Sequence, residues 1–243
     1  MMSMSPRNSH DEPFQHFANV LLSSKLSPQS LSVLKSSGRQ IRVARGEIAE
    51  LGAIDRRTAI FVLEGSAKLV GHLGPEREQI VAFGFSGDLL LLSSSPQNSH
   101  ALYVLQALKE CSLLAFAAND LIASSLESQG GSSAIFEQIF LALDRARDTS
   151  VLLGRKTAQE KLASFLVSMA ERIGFADGST IYLDLPMSRR EIGDCLGLTI
   201  ETISRQMTVL RNQDIIKTQD RSKIAILDLH RLREFAALVA CVP

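Results

Sequence analysis

The stretch Leu185-Pro186-Met187-Ser188-Arg189-Arg190-Glu191-Ile192-Gly193-Asp194-Cys195-Leu196-Gly197-Leu198-Thr199-Ile200-Glu201-Thr202-Ile203-Ser204-Arg205 decides how this chain of 243 residues is read. Ser188 with Glu191 three positions later is a capping box, which starts a helix by satisfying its exposed N–H groups. That helix runs from about Arg189 to Leu196. It ends at Gly197, because a tight turn needs a residue that accepts positive φ. Thr199 then caps a second helix. Two short helices joined by a three-residue turn containing glycine have helix-turn-helix geometry. Gly193 falls where the two helices approach and a larger side chain would clash.

The second helix divides into two faces. Ile200, Ile203, Met207 and Leu210 recur at helical spacing and form its expected buried stripe. Glu201, Ser204, Arg205 and Thr208 lie about a third of a turn away and face outward. Glutamate accepts from a cytosine amino group, arginine bonds guanine O6 and N7 together, and serine reaches a base or a phosphate. These types near the start of a helix equip it to read a major groove, with Glu201, Ser204 and Arg205 touching bases. Ser188, Arg189, Thr199, Thr202 and Thr208 are candidates for the DNA backbone or its vicinity. Taken alone, Glu201 and Arg205 also fit an i,i+4 ion pair on a solvated face. The capping box, the turn glycine and the two-faced helix favour DNA. Downstream, Asp214–Thr218 and Lys223–Leu227 form two strands around a turn, like the wing of a winged helix. Arg221 and Lys223 stand there within reach of phosphates, although a charged hairpin turn also serves solubility alone.

Toward the N-terminus the pattern changes. Residues 1–18 read as a flexible tail, and a short helix follows that Ser27-Pro28 opens and Gly38 ends, with Leu31, Val33 and Leu34 as its apolar contacts. From Arg39 to Phe116 short apolar runs alternate with Gly, Pro and Ser turns, which predicts an antiparallel barrel or sandwich. A long helix should then cover 131–154. Within it Ile135, Ile139, Ala142, Ala146, Thr149 and Leu153 follow 4-3-4-3-4 spacing. Such a seam suits either a dimer helix or an ordinary amphipathic helix packed on the barrel. A further helix from Thr157 to Ile173 and a strand at 180–185 complete the C-terminal part, with a hinge at 153–156. The fold class is thus α+β. Residues 19–130 read as a barrel domain, 131–154 as a long helix that suits either dimerisation or packing on the barrel, and 155–243 as a winged helix-turn-helix domain.

Composition agrees with a soluble globular protein, with 45% apolar and 21% charged residues and no Trp. A net charge of zero excludes binding to nucleic acid through bulk charge and leaves a local docking surface open. No apolar run approaches the ~18–20 residues of a membrane span. The polar N-terminus carries no secretory pattern, so a cytoplasmic protein without membrane partners is expected. Cys111, Cys195 and Cys241 are too scattered for a disulfide framework or a zinc site. Gly84-Phe85-Ser86-Gly87 is one residue short of a nucleophile elbow and no His-Asp constellation accompanies it. With no P-loop, GxGxxG or metal cluster, the chain is not expected to be an enzyme. The remaining alternative is a helix-turn-helix that docks a ligand or a partner protein instead of DNA.

The block Gly197–Arg205, with Leu185–Arg189 and Ile192-Gly193-Asp194, closely resembles the FNR and FixK branch of the CRP/FNR superfamily of bacterial regulators. Val62–Leu69 and Gly84–Leu89 look like that family's barrel strand and its next corner, in a likeness that is only general there. The resemblance implies a homodimer with a cyclic-nucleotide-binding-like jelly roll, a long dimer helix and a C-terminal winged helix. It carries Glu201, Ser204 and Arg205 over as base-contacting residues on a TTGAT–ATCAA palindrome. It also implies control of low-oxygen, redox or nitrogen genes, with RNA polymerase as a partner of an activator.

Departures from the family narrow the cofactors. No cysteine precedes Cys111, so a four-thiolate iron–sulfur cluster of the FNR kind is not expected. No arginine occurs between Arg77 and Arg145, so cyclic AMP would lack its phosphate clamp. Haem on one of the five histidines stays open, without a supporting motif. Cys195, in the first helix of the reading motif, has two readings. It is either a redox switch whose oxidation puts polar bulk beside DNA, or a small apolar packing residue.

Overall fold

The computed structural model describes residues 12–21, 28–51, 57–72, 74, 77–93, 102–126 and 131–237. Cys241 lies outside these, as do residues 1–11 of the expected tail. The chain divides between Leu143 and Asp144 into two compact units.

The first unit is built on two antiparallel sheets. Strands β1 (Arg39–Val43), β2 (Arg57–Glu64), β5 (Leu89–Ser93) and β7 (Cys111–Ala117) form one, in the order β1-β7-β2-β5. Strands β3 (Ser66–His72), β4 (Glu78–Phe85) and β6 (Leu102–Ala107) form the other, in the order β4-β3-β6. Side chains alternate across each strand. Ile60 and Val62 of β2 therefore meet Leu105 and Ala107 of the opposite sheet in one core, while Ala59 and Phe61 point the other way. The expected barrel is, among the described residues, a pair of packed sheets in the jelly-roll manner rather than a closed cylinder.

Helices cover that second side. They are α1 (Glu12–Leu21), α2 (Pro28–Ser37), α3 (Ala118–Leu126) and the start of α4 (Gly131–Arg155). Phe14 and Phe17 of α1 enter the core with Phe61 and Phe116. The Phe17 ring lies 5.1 Å from Phe61 edge-on and 5.0 Å from Phe116. Each such buried ring contributes about 1.5–3 kcal/mol, which corrects the flexible-tail expectation for residues 12–18. In α2 Leu34 is buried, whereas Val33, expected to pack, is exposed.

The α4 seam also needs correction at its start. Ile135 is buried and Ile139 packs against the same core within one chain. Phe136, Phe140 and Leu143, one position on, are exposed, as are Leu141, Val151 and the expected seam residue Leu153. The first three, with Arg147, Ser150 and Gly154, repeat the 4-3-4-3-4 spacing in the next register.

In the second unit α5 (Ala158–Ile173) starts at a second capping box, Thr157 with Glu160, and buries Leu162, Phe165, Leu166 and Met169. Strands β8 (Phe175–Asp177), β9 (Thr180–Asp184), β10 (Ile216–Thr218) and β11 (Lys223–Ile226) form a sheet in the order β10-β11-β9-β8. Helices α6 (Arg189–Leu196), α7 (Ile200–Asn212) and α8 (Leu229–Phe235) complete it. Among the described residues no helix is long and apolar enough to cross a membrane.

Candidate nucleic-acid interface

Ser188 opens α6 as its sequence requires. The Ser188 Oγ accepts from Glu191 N at 3.3 Å, and Glu191 Oε2 accepts from Ser188 N at 2.8 Å. Gly197 ends the helix in the left-handed region, at φ 62° and ψ 40°. Thr199 caps α7 by accepting from Thr202 N at 3.2 Å. A Cβ on Gly193 would lie 2.6 Å from the Leu198 carbonyl oxygen. The bare glycine therefore sets how closely the turn folds back on α6. Its N–H···O neighbour agrees, because Leu198 N donates to Gly193 O at 2.9 Å.

Ile203, Met207 and Leu210 form the buried stripe of α7, but Ile200 is 41% exposed. It occupies the first helical position, a turn ahead of Ile203, whose side chain is the one α7 brings up to Gly193. The buried face thus begins one residue later in the pattern than its periodicity suggests.

The outward face carries the expected set. Glu201, Arg205 and Thr208 are exposed and Ser204 is half-buried. The Glu201 carboxyl is held below its ordinary range by its own backbone N–H and then by the Thr199 hydroxyl, so it stays ionised at neutral pH. Arg189 donates from Nη1 to Ser204 Oγ at 3.5 Å. The structure so joins a residue expected at the DNA backbone to one expected at the bases. Thr208 is tied down, donating to Ser204 O at 3.0 Å and accepting from Arg211 at 3.3 Å. Among the described residues the Arg205 side chain has no ion pair or hydrogen bond, which leaves its guanidinium open to a ligand.

At the wing, Asp220 Oδ1 accepts from Ser222 N at 2.8 Å and Lys223 N at 2.7 Å, which fixes the turn. Ser222 Oγ also reaches Asp184 Oδ1 at 3.0 Å. The two backbone donors, Lys223 first, hold the Asp220 carboxyl below its usual range. Arg221 and Lys223 are exposed on this rigid turn.

One chain-wide comparison settles the family. The chain is 34% identical over 233 residues to the nitrogen fixation regulation protein FixK of Bradyrhizobium diazoefficiens, covering 93% of this chain and 96% of that one. It belongs to the CRP/FNR family. Within this family it lies in the FNR/FixK branch, as a DNA-binding transcription regulator. The Crp-like helix-turn-helix domain matches residues 160–235. The structure of FixK2 from Bradyrhizobium japonicum superposes with a TM-score of 0.69 at 31% identity, covering 84% of this chain and 99% of that one. The transcriptional activator protein FnrL of Cereibacter sphaeroides is 39% identical over 107 residues, 42% of this chain and 43% of that one.

Two features of this CRP/FNR regulator escaped the sequence reading. Lys156, at the hinge between α4 and α5, donates from Nζ to Ser164 Oγ at 2.7 Å and to Ala236 O at 2.8 Å. It thereby latches the start of α5 to the end of α8, and nothing local in the sequence signals so distant a partner. Asp228 caps α8 by accepting from Arg231 N at 2.9 Å, a one-residue signal that was present but short. Cys111 and Cys195 are free thiols, the first buried and the second half-buried. Burial pushes the Cys195 thiol up to about 12, against a lowering by Arg172 and a further rise from Asp194. Cys111 is also raised by burial, its Sγ lying 3.0 Å from Ser66 O.

Proposed function

We propose that this regulator binds FNR-like palindromes of the TTGAT–ATCAA kind as a homodimer, one α7 in the major groove of each half-site. Arg205 pairs with the half-site guanine, Glu201 accepts from a cytosine amino group on the opposite strand, and Ser204 contacts a neighbouring base. Arg189, Thr199 and Thr202 hold the start of each helix on phosphates, and Arg221 and Lys223 do so at the wing. The observation that carries this reading is the open, unpaired guanidinium of Arg205 on the same face as an ionised Glu201.

Dimerisation runs along α4. Phe136, Phe140 and Leu143 form an exposed apolar stripe at 4-3 spacing, and water-exposed phenylalanines at 56% and 62% are the kind of surface a partner helix covers. The similarity to FixK and FnrL supports control of nitrogen-fixation, oxygen or redox-related genes, with RNA polymerase as the partner of an activator and no catalytic role. The missing arginine clamp and the missing N-terminal cysteines support neither cyclic AMP nor an iron–sulfur cluster as signal. The test is fluorescence anisotropy of the purified protein on a labelled TTGAT–ATCAA duplex beside a scrambled one. Specific binding with a steep salt dependence is expected; equal binding to both duplexes would contradict the reading.

A further inference from the structure

On the helix-covered side of the β1-β7-β2-β5 sheet the first unit keeps an open cleft. It lies over the edge strand β5 and beneath α3 and the first turns of α4, and its volume is about 240 Å³. Its walls are apolar, from Ala59, Leu89, Leu91, Ile122 and Ile139 among others. Most of its lining belongs to the helix-covered side, with Leu92 shared with the core between the two sheets that Ile60 and Val62 face.

One charge borders it. The β2–β5 register pairs Ala59 with Leu91 and Arg57 with Ser93. Arg57 and Ala59 are two apart on one strand, so they project to the same face. Arg57 therefore lines the cleft, and among the described residues no carboxylate lines it. Among the described residues the Arg57 side chain makes no ion pair or hydrogen bond. Leu91 and Ile122, at 43% and 42% exposure, leave the mouth open to solvent.

An apolar slot with a lone arginine in its lining matches a ligand with an apolar body and an anionic head. Guanidinium holds a carboxylate through two parallel charge-assisted bonds, while the body displaces water from the leucine walls. We propose that this cleft binds a medium-chain carboxylate. At ~30 Å³ for each water-sized group, the volume suits a chain of about eight carbons. Ile135 and Ile139 also line the cleft, so the occupant touches α4 directly. The binding proposal stands without the DNA reading.

The experiment is titration of the full chain with octanoate and, separately, octanol, followed by ligand-observed NMR. Saturable octanoate binding is expected. Arg57→Gln should weaken octanoate by about tenfold or more and change octanol by less than about twofold. Leu91→Trp, which fills the mouth and leaves the exposed rim otherwise intact, should weaken both. Circular dichroism of the two variants checks that each is folded. Three results would overturn the proposal: no saturable binding of octanoate, octanoate binding indifferent to Arg57→Gln, or octanoate binding that falls as protein concentration rises. The last would mean that a second copy of the chain fills the cleft.

Discussion

The Arg189 guanidinium lies 3.5 Å from Ser204 Oγ, so the first residue of α6 reaches the middle of α7's outward face. This contact separates two kinds of DNA contact that the sequence places side by side. Arg205, free and exposed, is placed to report a base, and Arg189, already engaged, a phosphate. Arg205→Ala should lower affinity for the palindrome by about 1–3 kcal/mol per half-site, with weak binding to scrambled DNA kept. Arg189→Ala should weaken both duplexes alike and reduce the slope of log affinity against log salt by about one per subunit. Anisotropy titrations at three salt concentrations distinguish the two patterns.

The turn between the helices depends on a missing side chain. In Gly193→Ala the new methyl carbon meets the Leu198 carbonyl at 2.6 Å, a backbone atom that cannot rotate away. A loss of about 1–3 kcal/mol is expected from such overpacking. Thermal melts should show it, together with weaker DNA binding than the lost stability accounts for, because α7 is displaced from its seat. Unchanged melting would mean that the turn relaxes freely.

Two positions on α4 should behave in opposite ways. Ile135→Ala removes a buried side chain of the first unit's core and should cost about 2–5 kcal/mol in chemical denaturation. Phe140→Glu alters an exposed ring and should leave the fold of one chain intact while shifting the protein to monomer in sedimentation velocity. A Phe140→Glu protein that remains dimeric would place the interface elsewhere.

Cys195 provides a pH test. Its folded thiol titrates near 12 against an ordinary 9.0, a raised value. The stability this contributes is therefore complete below pH 9 and lost as pH climbs from 9 toward 12. At pH 7 about one molecule in 100,000 carries the thiolate, the form that reacts. Alkylation of Cys195, followed by peptide mass spectrometry, should be far slower at pH 7 than in denatured protein and rise about tenfold per pH unit. Labelling at the denatured rate near neutrality would favour the redox-switch reading over the packing one.

The helix-turn-helix was legible because every determinant is local. Ser188 with Glu191, Gly193, Gly197 and Thr199 act within a few residues of where they stand, and each does in the structure what its type requires. Ile200 departs from the pattern because periodicity shows which residues share a face but not where the neighbouring helix begins to cover it. The same blindness moved the α4 seam. Ile135 and Phe136 are both apolar, and only the placement of the first unit's sheet decides which of them is covered. Helix α1 stands where the polar run before Pro13 predicts a tail, although Phe14, Phe17 and Ala18 have helical spacing. Lys156 and Arg57 gained their settings from partners far along the chain, Ala236 for one and the β5 register for the other.

The central claim is that Arg205 reads the guanine of each half-site. The most direct test replaces that guanine with 7-deazaguanine, which removes the N7 acceptor alone, and measures binding of both the wild-type protein and Arg205→Ala. The account predicts that wild type loses about tenfold per half-site, about 1.4 kcal/mol, while the variant, already weak, is indifferent to the change. Equal losses in the two proteins would show that another group reads the guanine, and the assignment of Arg205 would fail.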